Sequence, residues 1–178
     1  MPEYAPYTYP REEVDIRDEV VAIAKRGYNY RLLTTAQGNV SARVGEKAFV
    51  VTPDNCDFTS LCAEDLIRIE DGKVEQGKKA PMRADYLQAI YETKPEIAAV
   101  TISPVSELMA FAVSDTPFDL GIDPELYNMV RGIKYYDYGT DPKEIAEGMS
   151  LKCTTALIKN DCAIVGCDTV YKSLGRAE

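Results

Sequence analysis

The chain contains no histidine. That absence removes the side chain that most often binds a catalytic metal and most often moves protons near neutral pH. An enzyme built from this sequence would have to work with carboxylates, thiols, tyrosines or lysines. Long apolar runs are missing too. No stretch approaches the length of a membrane span, and the opening MPEYAPYTYPREE has no signal-peptide core. There is no low-complexity tract and no internal repeat. Positive charge is scarce: 20 Lys and Arg stand against 29 Asp and Glu, a formal charge of −9. Binding nucleic acid through its phosphates needs the opposite balance. The composition therefore speaks against nucleic acid and membrane as partners. A small anionic ligand stays open, because a local field and the net charge are separate matters. The five cysteines are an odd number in 178 residues, a length that buries a core without staples. They read as free, inert thiols in a reducing cytoplasm.

What is present is an α/β pattern in one domain, residues 1–178, with residues 1–10 as an extended arm rich in Pro and Tyr. Glu12 to Gly27 reads as a helix with Ile16, Val20, Ile23 and Gly27 on one face. NVSAR and AFVVT flank VGEK as a hairpin, and LIRIEDGKVEQG turns at Asp71-Gly72 as a second one. Thr59 or Ser60 is expected to cap a short helix between them. Arg83 to Thr93 is helical, with Leu87, Ile90 and Tyr91 inward. IAAVTI is a strand apolar enough to be covered on both faces. Ser103-Pro104 has an N-cap signature for a helix to about Val113. Asp123-Pro124 repeats it, and Asp141-Pro142-Lys143-Glu144 completes a capping box. IKYYD, TALIKN and CAIVG read as strands, and Asp168 begins a last helix. Hairpins mixed with crossovers imply a largely antiparallel or mixed sheet with helices on both faces. The tyrosines at 135, 136 and 138 read as half-buried strand and edge residues.

Four segments, GNVSAR, VVTPDNCDFTSLCAEDLIRIEDGKV, APMRADYLQAIYETKPEIAAVTISP and ALIKNDCAIVGCDTVYKSLGRAE, resemble the class II aldolase/adducin family, whose members include L-fuculose-phosphate and L-ribulose-phosphate-type aldolases. The resemblance implies a three-layer α/β/α fold and a tetramer. It also implies a zinc ion that polarises an enediolate while a glutamate shuttles the proton. The family's chemistry does not carry over. Its His-x-His pair falls on Thr101 and Ser103, and its third zinc histidine on Asp161 within Asn160-Asp161-Cys162. Pro81-Met82-Arg83-Ala84 stands where the catalytic glutamate follows a Pro-Ser-Ser run. Two neutral hydroxyls and one carboxylate do not make a zinc site. No metal, no other cofactor and no catalytic residue is expected.

The family's phosphate cradle is half kept, which leaves a vestigial set of Gly38, Asn39, Ser41, Thr52, Asp54 and Arg83. Asp54 should repel a phosphate and Arg83 attract one. If the fold is kept, the two are expected to pair with each other. Ser103 is read as a helix cap in preference to a ligand-facing hydroxyl, and Asp161 as a solvated turn aspartate in preference to a metal ligand. Three readings remain open. The first is a non-catalytic binding or assembly module, with a small sugar or sugar-phosphate ligand and a homotetramer as partners. The second is a zinc-independent sugar-phosphate lyase rebuilt around Asp161, Arg83 and a tyrosine. The third is a modulator of an active paralogue through mixed assembly.

Overall fold

The structure is a computed structural model that describes residues 11–114, 116, 119, 127, 128, 130 and 132–178. The N-terminal arm and the Asp123-Pro124 signature lie outside the described residues. Helix α1 spans Arg11–Asn29. It is followed by β1 (Asn39–Arg43), β2 (Ala48–Val51), a 3-10 turn at Ala63–Asp65, β3 (Ile67–Glu70) and β4 (Lys73–Val74). Then come α2 (Ala84–Thr93), β5 (Ala99–Ser103), α3 (Ser106–Ser114) and β6 (Ile133–Tyr136). The chain ends with α4 (Pro142–Gly148), β7 (Thr155–Ile158), β8 (Cys162–Cys167) and α5 (Val170–Gly175).

The strands form one eight-stranded sheet in the order β4-β3-β2-β1-β5-β8-β7-β6. Neighbours are antiparallel except β6 and β7, so the sheet is mixed. Alternation along each strand splits the core in two. Phe49, Val51, Val100, Ile102, Ala156, Ile158 and Ile164 pack beneath α2 and α4. Val40, Ala42, Val50 and Ala99 pack beneath α1 and α5, and Leu157 and Ala163 beneath α3. The expected α/β layering, with helices on both faces, is present.

Turn chemistry sets the edges. Asp71 and Gly72 both have positive φ, 48° and 72°, as the two-residue turn of the β3–β4 hairpin demands. Gly38 starts β1 at φ 104°, and a Cβ there would lie 2.7 Å from Leu33 Cδ2. Only glycine fits that approach.

Several local expectations are corrected. Ser103 is the last residue of β5, and α3 begins three residues later, so Ser103 caps nothing; its hydroxyl donates inward to the Leu32 carbonyl. Cys62, not Thr59 or Ser60, is the N-cap of the 3-10 turn, its N–H donating to Asp65 Oδ2 at 2.9 Å, while Asp57 closes the loop before it by accepting from Thr59 N at 2.9 Å. Asp141 caps α4 as expected, accepting from Lys143 N at 2.8 Å. Thr169 caps α5, one residue after the expected Asp168. Tyr136 packs against the core, whereas Tyr135 and Tyr138 are exposed. All five cysteines are free, and Cys162 and Cys167 are buried among apolar side chains.

Candidate functional site

The loop that leaves β2 folds back over the start of β1. Asn39 and Thr52 are both fully buried, so their polar atoms need internal partners. Val40 N donates to Thr52 Oγ1 at 3.1 Å. Asn39 Nδ2 donates to the Thr52 carbonyl and to Asp54 Oδ1, each at 3.1 Å. The second carboxylate oxygen, Asp54 Oδ2, accepts from Met82 N at 2.6 Å. Met82 stands one residue before Arg83, the N-cap of α2. Three of the six expected cradle residues, Asn39, Thr52 and Asp54, are thus gathered at one place, and Gly38 precedes Asn39 against Leu33 and Pro104. Ser41 is not among them. Its hydroxyl donates to the Val100 carbonyl at 3.0 Å and bonds Tyr91 Oη at 2.9 Å, deep in the layer between β1 and α2.

Arg83 turns elsewhere. Its Nε donates to Asp161 Oδ1 at 3.1 Å, and its Nη2 to the same oxygen at 2.5 Å. The expected pairing of Arg83 with Asp54 is therefore corrected: the partner is Asp161, across the sheet edge in the β7–β8 turn. Asn160, at φ 60°, supplies the left-handed backbone of that turn. The reading of Asp161 as a solvated aspartate is corrected with it, since its side chain is 12% exposed. The Asp161 hydrogen bond holds the Arg83 guanidinium above its already high value, against the burial that opposes it. Burial pushes the neighbouring Cys162 thiol up, and the Asp161 charge adds to this. Burial, again aided by Asp161, pushes the Tyr86 hydroxyl up to about 12.

Thr101 and Ser103 sit on the opposite face. Thr101 Oγ1 bonds Ser173 Oγ of α5 at 2.9 Å, and Ser103 meets Leu32 behind α1. The β5 residue that shares the Arg83–Asp161 side is Ile102, which packs in one cluster with Cys162 and Tyr86. Side chains alternate along a strand, so a shift of one residue moves a whole ligand set through the sheet. Thr101, Ser103 and Asp161 therefore do not converge. Among the described residues no three His, Cys, Asp or Glu come together to hold a metal ion. A zinc ion of the kind the family uses has no fit here: the inward hydroxyls are spent, the carboxylate is ion-paired, and the facing strand residue is an isoleucine.

Sequence reasoning missed the partners that decide this arrangement: the Met82 N–H, the Leu32 carbonyl, Tyr91 and Ser173. Two are main-chain groups, which leave no trace in residue identity. It also missed a cleft of about 450 Å³ on the far face, lined by Tyr30, Leu32, Val105, Leu108 and Arg176.

No curated protein sequence matches the chain significantly. Among solved structures, YgbL from Escherichia coli superposes with a TM-score of 0.80 at 18% identity, covering 93% of this chain and 84% of that one. An L-fuculose-1-phosphate aldolase from Thermus thermophilus gives 0.80 at 14% identity, covering 93% and 90%. A sugar-phosphate aldolase from Thermotoga maritima gives 0.71 at 15% identity, covering 92% and 89%. At these identities the likeness establishes the fold. The family described as the class II aldolase and adducin N-terminal domain matches residues 18–178, and the chain belongs to it.

Proposed function

We propose that this protein is a non-catalytic member of its family: a cytoplasmic binding or assembly module, built as one domain and working as a homotetramer. The observation that carries the reading is the Arg83–Asp161 pair. It commits the one carboxylate at the expected metal positions to a guanidinium, and Thr101 and Ser103 lie behind the sheet. Without a metal, an aldol transition state loses several kcal/mol of charge stabilisation, and without a positioned base a further ~10²–10⁴-fold. The rival reading, a lyase rebuilt on Arg83, Asp161 and a tyrosine, finds less support. A phenol pushed up to about 12 stays protonated at neutral pH and makes a poor base. The sugar-phosphate ligand suggested by its solved relatives is disfavoured by Asp54, whose charge sits in the cradle.

The test combines composition, turnover and mass. Elemental analysis after dialysis is expected to find zinc far below one per chain. L-Fuculose 1-phosphate and L-ribulose 5-phosphate are expected to survive incubation uncleaved. Near-stoichiometric zinc, or cleavage that Arg83→Ala abolishes, would overturn the non-catalytic reading. Light scattering at micromolar concentration is expected to return four chains; a monomer mass would remove the assembly role.

A further inference from the structure

We infer that the Asp54 carboxylate is a built-in anion that fills an oxyanion site at the amino end of α2 and closes it to phosphate. The cup is made of donors. Asn39 Nδ2 serves one oxygen of Asp54 at 3.1 Å, and the main-chain N–H of Met82 serves the other at 2.6 Å. Behind them begins a helix of ten residues, whose amino end favours negative charge. The Arg83 guanidinium, on the N-cap residue of that helix, is turned to Asp161 and stands outside the cup. Amide hydrogens at a helix start are the chemistry that holds an oxyanion. Here the occupant comes from the chain itself.

Asn39 shows that the cup is built rather than incidental. Its side chain is fully buried. Turning the amide over would set its oxygen against the Asp54 carboxylate and the Thr52 carbonyl, so it stands as a donor. Its Oδ1, meanwhile, is buried with no partner. The wild-type carboxylate satisfies only the donors. Asp54 lies three residues past Val51, the end of β2. So short a tether gives it an effective concentration on the order of millimolar or above, which free anions must exceed. They must also approach its negative charge.

The ligand class excluded is therefore phosphate and phosphomonoesters, and one side chain excludes it. This inference is separate from the question of catalysis, since neither zinc content nor turnover enters its test. Inorganic phosphate is titrated by calorimetry into the wild-type chain and into Asp54→Gly and Asp54→Ser, with circular dichroism to confirm folding. Wild type is expected to give no saturable binding at millimolar phosphate. Both variants are expected to bind at least about tenfold more tightly than wild type, and adding Asn39→Ala to Asp54→Gly should abolish the gain. On the unaltered chain, the Asn39 side-chain amide and Met82 N–H resonances should not move on adding phosphate. Phosphate-dependent shifts of those two signals in wild type would overturn the inference whatever the variants do. So would folded variants, Gly and Ser alike, that bind no better than wild type.

Discussion

Arg83 shows how much one side chain can settle. Its fork reaches both oxygens of Asp161, at 2.5 to 3.3 Å, with side chains only 11% and 12% exposed. A pair this enclosed lies between two known regimes. Exposed ion pairs contribute about 0–1 kcal/mol, whereas breaking a fully buried one costs about 3–5 kcal/mol. Arg83→Ala is therefore expected to destabilise the fold by about 1–3 kcal/mol, most of it from the stranded carboxylate. Removing Asp161 as well should recover part of the loss. A double-mutant cycle in urea tests this, and strictly additive losses would mean that the two groups do not act as a pair. The sequence brought both residues to notice, but assigned Arg83 to Asp54 and Asp161 to solvent. Charge type was legible in each residue; which of two nearby carboxylates lies within reach was not.

Among the elements, α1 is held by more than its apolar stripe. Arg17 is fully buried and donates to Glu13 Oε1, the Ala63 carbonyl and the Leu66 carbonyl, each at 3.0 Å. Arg68 approaches the other Glu13 oxygen at 3.7 Å. This network ties the helix to the 3-10 turn and the start of β3. Arg17→Ala would leave Glu13, 3% exposed, with most of its compensation gone. The expected loss is about 3–5 kcal/mol, a large share of the roughly 5–15 kcal/mol by which domains are ordinarily stable. Urea midpoints at constant slope measure it; a loss under about 1 kcal/mol would show that the network contributes little. Helical periodicity revealed which face of α1 is buried. It could not reveal the buried arginine, because Glu13 and Arg17 read equally well as an exposed i, i+4 pair.

Across the whole molecule, several buried thiols and phenols give stability a direction with pH. Burial pushes Cys56 up to about 11 and Tyr86 up to about 12, and raises Cys162 and Tyr91 as well. In the unfolded chain these groups ionise near their ordinary values, about 8.5 for cysteine and about 10 for tyrosine. Folded values above unfolded ones mean that stability is intact below about pH 8.5. It then falls as pH climbs toward the folded values, because unfolding releases protons that the native state retains. Urea melts at pH 7.5 and pH 10 should show this decline, and Cys162→Ala should show a smaller one than wild type. A stability unchanged between those two conditions would contradict it.

Local chemistry was enough to determine the elements and their order. Strand alternation, the Asp71-Gly72 turn, the Asp141 cap and the two-sided apolar run of β5 each depend on residues a few positions apart. They led to the mixed sheet between helical layers, and GNVSAR with its companion segments led to the family. The candidate site was decided by contacts between residues far apart in the chain. Asp161 is 78 positions from Arg83, and Thr101 is 72 positions from Ser173. Whether a strand residue faces one layer or the other turns on a single step of register, and this step placed Ile102, not Thr101 or Ser103, on the Asp161 side. Residue identity supplies the chemistry a side chain can do, while only the closed tertiary structure supplies the partner and the face.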